Sequence, residues 1–176
     1  MRLQTSLLIA LLVISKIAFA QEKTDRHYPV HHFDYSSIQV EIDELSKDPK
    51  IDTYGLAKAQ AWLNSSKYEM WRNDSGWWPQ AAFDEAKLTI AAIKNKDTSV
   101  LGKTNALKVN HLIADELWQE TISLKKKNKA CSRSLIARAE VELVHAAYEV
   151  ETTSWKDATP QLGIVRELLA RSKSCN

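Results

Sequence analysis

A histidine one helical turn from a carboxylate is the smallest arrangement that can hold a metal ion or pass a proton, and this chain offers two. His27, His31 and His32 stand close to Asp34, with His27 and His31 four residues apart. Metal chemistry needs ligands held within tenths of an ångström, whereas the stretch 21–35 is polar, contains Pro29 and keeps no steady period. It reads as a flexible arm, and neither a metal nor another cofactor is expected. His145 precedes Glu149 by four residues in a helical segment, on a strip that also carries Arg138 and Glu142. Such a strip reads as a solvated face with weak ion pairs rather than as the seat of a general base. Asp84-Glu85 and Asp115-Glu116 are adjacent on helical stretches, so each pair points apart and makes no acid/base couple. No nucleophile elbow, phosphate-cradling glycine loop or H-E-x-x-H pattern occurs. The expectation is a protein without catalytic activity.

Two further residue types could carry function. Of the six tryptophans, Trp71, Trp77 and Trp78 gather around one turn. Rings at such places read first as buried side chains that lock helix ends together; the alternative is a surface for a glycan or peptide, for which these three are the candidate binding residues. Cys131 and Cys175 are the only cysteines, too few and too far apart for a C-x-x-C or a zinc set.

The elements that position these residues show up as a duplication. Ala137-Arg138-Ala139-Glu140-Val141-Glu142-Leu143, ending at Tyr148-Glu149, repeats a stretch about eighty residues upstream, Ala57-Lys58-Ala59-Gln60-Ala61-Trp62-Leu63, ending at Tyr68-Glu69. Each copy is followed by a polar turn and a Trp-x-x-Ala start, at Trp78 and Trp155. The spacing predicts two related antiparallel helical hairpins, 52–94 and 132–172. In the second copy Ile136, Ala139, Leu143, Ala146, Ala147 and Val150 fall on one stripe, and Val141, Val144 and Tyr148 on another. A helix apolar on two sides must touch neighbours on both. Four glycines and four prolines leave little room for the turns of a β fold. The fold class is therefore all-α, hairpins in a repeat-like array or bundle of about five to six helices, forming one domain over 36–176. A short helix over 36–47 and a central helix from about Asn105 to Lys125 complete it. Antiparallel packing of the second hairpin brings its open ends together, so Cys131 and Cys175 are expected to form a disulfide, worth at most about 4 kcal/mol through loop closure.

The N-terminus supplies the compartment. Arg2, an apolar run from Leu7 to Ile17 interrupted by Lys16, and Ala18-Phe19-Ala20 before Gln21 describe a cleavable secretory signal over 1–20, cut between Ala20 and Gln21. The run is shorter than the ~20 residues needed to span a bilayer, so no transmembrane segment is expected after cleavage. Removing Arg2 and Lys16, with no acid, takes the formal charge from +2 to zero. A neutral mature chain argues against nucleic acid as a partner.

Beside this reading stands a resemblance. Tyr54-x-x-Ala57-Lys58-Ala59-Gln60-x-Trp62-Leu63, Tyr68-Glu69, Ala81-x-x-x-Glu85-Ala86, Asp115-Glu116-Leu117-Trp118, Cys131 and the second copy through to Trp155 resemble the helical N-terminal module of OmpA-family envelope proteins of Gram-negative bacteria. The alanine-rich hairpins are also similar to tetratricopeptide-type repeats. The resemblance implies an envelope location and a scaffold role, and the peptidoglycan-binding OmpA domain of those larger proteins has no counterpart in this sequence. The expected function is an exported periplasmic or cell-envelope module that binds an envelope protein or cell-wall material. The alternative is a small-ligand or glycan-binding protein, or an enzyme, with a pocket between the hairpins. A homo-oligomer is a further possible assembly.

Overall fold

The computed structural model describes residues 33–74 and 76–175. The signal segment, its cleavage pair Ala20-Gln21 and His27, His31 and His32 lie outside the described residues. Among the described residues the protein is all-helical: α1 (Tyr35–Ser46), α2 (Thr53–Trp71), α3 (Trp78–Asn95), a short α4 (Thr98–Leu101), α5 (Asp115–Lys127), α6 (Arg133–Thr152) and α7 (Trp155–Lys173), with a 3-10 turn at Ala130–Ser132. None of these helices is long and apolar enough to cross a membrane.

Helix starts follow the local chemistry. Asp34, Asp52 and Ser154 accept the backbone N–H of Ser37, Tyr54 and Asp157, each satisfying a donor that the first turn leaves unpaired. Helix α3 begins without a side-chain cap but carries Pro79 in its first turn, where a missing N–H costs nothing. Lys96 and Asn128 end α3 and α5 in the left-handed conformation.

Hairpin α2/α3 and hairpin α6/α7 are the two duplicated units, and they meet along α2 and α6. Asp52 pairs with Arg133, Tyr54 with Glu140, Glu69 with His145 and Arg72 with Glu149, so the two helices run parallel and equivalent ends lie together. The two stripes on α6 divide between two cores. Val141, Val144 and Tyr148 join Trp62, Leu63, Trp78, Phe83 and the Ile38 and Ile42 side chains of α1. Ile136, Ala139, Leu143 and Ala146 join Leu162, Val165 and Leu169 of α7 and Leu117 and Leu124 of α5. Wholly buried Ala59, Ala139 and Ala146 keep the helices close while losing no rotamer freedom.

Two sequence expectations are corrected. The central helix begins at Asp115, not near Asn105, and the preceding residues form a strap with Leu107 and Ala114 in the left-handed backbone region. Of the strap residues that suggested a helix, Val109 is half-buried on the first core and Ile113 on the second, while Leu112 is exposed; Leu107 also packs on the first core. The strap's backbone is satisfied by side chains instead of a helical ladder, with Glu151 accepting the N–H of Asn110 and of His111. The end of the supposed arm is also packed. Phe33 and Tyr35 lie on Phe83, with ring centroids 4.9 and 5.4 Å away, and Asp34 is a helix cap rather than a metal oxygen.

Candidate functional site: a charged seam between the hairpins

The α2/α6 seam carries buried charges at both ends. Near the N-terminal end, Lys58 faces Glu140 at 3.5 Å and donates to the carbonyl oxygens of Leu101 and Lys103. Lys125 reaches the same carboxylate at 2.7 Å and donates also to the Gly102 carbonyl, while Tyr54 and Thr104 donate their hydroxyls to Glu140. Burial pushes Glu140 up, but Lys58 and Lys125 outweigh it and hold the carboxyl below its ordinary value. Burial pulls Lys58 down to about 8 despite its partner.

Near the C-terminal end lies the group that the sequence reading misplaced. His145 is not on a solvated strip. It is 2% exposed, with Nε2 2.8 Å from Glu69 and 3.8 Å from Glu149, which is itself 1% exposed. The Trp78 ring is stacked on the imidazole, centroids 5.1 Å apart, and Tyr68 meets it edge-on at 5.9 Å. Arg72, beyond the end of α2, reaches both Glu149 and Glu69 with one guanidinium nitrogen, and the Thr153 hydroxyl donates to Glu149 at 2.9 Å. The two glutamates titrate in opposite directions. Burial lifts Glu149 above the ordinary carboxylate range, the neighbouring Glu69 charge adding to it; Glu69, also lifted by burial, is carried below that range by His145 and Arg72.

Two clefts border this second cluster. One, of about 230 Å³, is lined by Glu69, Arg72, Asp74, Tyr148, Glu149 and Thr153. The other, of about 310 Å³, has Arg138, Glu142 and His145 as its floor, with Tyr68 on one wall and Pro160 and Ile164 on the other. The strip on α6 is thus a groove between the hairpins. Gln161 lines the groove and is buried, and its Oε1 has no hydrogen-bond partner among the described residues. A third cleft, of about 210 Å³, lies beside Tyr54, Lys125 and Arg133 at the other end of the seam.

The three tryptophans singled out in the sequence part company. Trp78 is wholly buried and donates its indole N–H to Ser65, so it offers no surface to a ligand. Trp77 packs on the first core between Trp78 and Tyr148. Trp71 is 81% exposed, and Trp155, at 60%, lies at the same end of the molecule, where Arg72 comes within 3.9 Å of Asp157. Cys131 and Cys175 adjoin as thiols, hydrogen bonding to one another, which with burial and the second sulfur pushes Cys175 up.

No family model, curated protein or solved structure matches this chain.

Glu69, Arg72 and Glu140 had no place among the sequence candidates. A signal was present: Glu69 and Glu149 close the two copies of the repeat. Once equivalent helices pack in parallel, equivalent residues become neighbours, and two carboxylates on one seam require a cation between them.

Proposed function

We propose that this protein is an exported, non-catalytic helical-hairpin module of the cell envelope, and that it binds another envelope protein or cell-wall material along the groove between its hairpins. The observation that carries the reading is the rim of that groove. Tyr68 stands exposed on its wall, above a floor that carries both signs of charge, and Trp71 and Trp155 are exposed at the end of the molecule where Arg72 approaches Asp157. Exposed tryptophan and tyrosine beside an arginine are the side chains that dominate binding energy where partners meet. The N-terminal pattern supports export, and the adjoining Cys131 and Cys175 suit an oxidising compartment, where they would close into a disulfide.

A photo-crosslinking residue at position 71, expressed in the native cell, tests the reading. It should yield a discrete adduct in the envelope fraction that is missing when the same residue replaces Lys87 on α3. Equal labelling at the two positions would overturn it, as would a chain whose N-terminus is not Gln21. A small polar ligand is the second reading, favoured by the unpartnered Gln161 oxygen beside a cleft of about 310 Å³. Soluble saccharides or peptides that protect the protein against heat in the absence of any macromolecule would decide for it.

A further inference from the structure

We propose that Glu69, His145 and Glu149 form a binding site for a divalent transition-metal ion, with Arg72 as the resident cation that the metal displaces. This inference is independent of the groove's partner. One ligand atom from each residue lies within 4.8 Å of the other two, and all three residues are buried. Bonds of 2.0–2.2 Å in tetrahedral geometry require donor atoms about 3.4 Å apart. The His145 distances of 2.8 Å to Glu69 and 3.8 Å to Glu149 bracket that separation, so small side-chain movements suffice.

The ligands are held as a metal site needs. Two come from one turn of α6 and the third from the parallel helix α2, both in the packed centre of the molecule. The stacked Trp78 ring fixes the plane of the imidazole, and Thr153 orients the Glu149 carboxylate. Orienting contacts of this kind govern metal affinity. Imidazole with two carboxylates suits zinc, cobalt, nickel or iron rather than calcium, which takes oxygen donors.

Local charge favours a divalent cation here. Two buried carboxylates face one guanidinium. They also sit in the last turns of α2 and α6, whose carbonyl ends converge here and each add a partial negative charge. Arg72 is free to leave. Its side chain is 30% exposed and already lies 3.9 Å from Asp157 and over the Tyr68 ring, contacts that can hold it once the two glutamates are taken up by a metal. The cleft of about 230 Å³ bordered by Glu69, Arg72 and Glu149 gives an ion its route and a water its place in the remaining coordination position.

Titrating the purified mature chain with cobalt(II) and zinc, followed by visible absorption and calorimetry, tests this. One metal ion per chain should bind, with the ligand-field bands of low-coordinate cobalt. His145→Ala and the near-isosteric Glu149→Gln should each weaken binding at least tenfold. Arg72→Ala should strengthen it, and zinc should raise the melting temperature of that variant more than that of the unaltered chain. Replacing His27, His31 and His32 together should change nothing. No binding at micromolar metal in either the unaltered chain or Arg72→Ala would overturn the proposal. So would binding that survives in folded Glu149→Gln but vanishes with the three N-terminal histidines.

Discussion

The two ends of the α2/α6 seam solve the same problem differently. At the N-terminal end Glu140 is met by two ammonium groups and two hydroxyls, and the surplus positive charge is spread over the carbonyl oxygens of Leu101, Gly102 and Lys103. At the C-terminal end two carboxylates share one guanidinium. Backbone carbonyls can absorb a surplus of cation, since they accept hydrogen bonds; at converging helix C-termini the backbone offers only those same carbonyls, so the surplus of anion falls to the side chains of Arg72, His145 and Thr153. The first cluster is therefore a closed structural clamp, and the second is the place where a proton or a metal ion changes the molecule.

Breaking the clamp should have the largest effect. Glu140→Ala leaves the buried Lys58 without its carboxylate and should lower unfolding stability by about 3–5 kcal/mol in urea melts. Replacing both partners with apolar residues should recover most of that loss. Arg72→Ala, at the open end, should cost less, about 1–3 kcal/mol, because that side chain is part-exposed and Glu149 can carry a proton.

Titration sharpens the same contrast. Glu140 has a folded pKa below its ordinary value of 4.5, so its contribution is complete above that pH and is lost as the pH falls through the folded value. Lys58 runs the other way. With its pKa lowered from 10.5 to about 8, the unfolded chain holds that proton more tightly, so stability should rise as the pH climbs from about 8 towards 10. Tyr54, pushed above its ordinary 10.0 by burial and by Glu140, stays protonated through that window. Melting temperatures across it should rise for the unaltered chain and lie flatter for Lys58→Met. The smallest effect belongs to Trp71→Ala, within about 0.5 kcal/mol of no change in stability, although it removes the most exposed ring of the proposed rim.

Much of this architecture was legible in the sequence. The repeat and the two apolar stripes on α6 are local patterns, and local patterns survive folding. The parallel alignment of α2 and α6 is a long-range fact, and the errors trace to it. A strip holding Arg138, Glu142, His145 and Glu149 looks solvated until α2 and α7 are known to wall it in. Val109, Leu112 and Ile113 have a helical spacing, yet periodicity reports only that some side chains are covered, and a strap with left-handed residues covers Val109 and Ile113 as well. The tryptophans divide for the same reason: composition counts rings, while packing decides that Trp78 is core and Trp71 is surface.

The most direct test of the contrast is a pair of double-mutant cycles in one urea series, Lys58→Met with Glu140→Leu at one end and Arg72→Ala with Glu149→Gln at the other. A closed clamp opposite an anion-rich site predicts a coupling of at least about 2 kcal/mol for the first pair and less than half of that for the second. Equal couplings, or a larger one at Arg72 and Glu149, would contradict it.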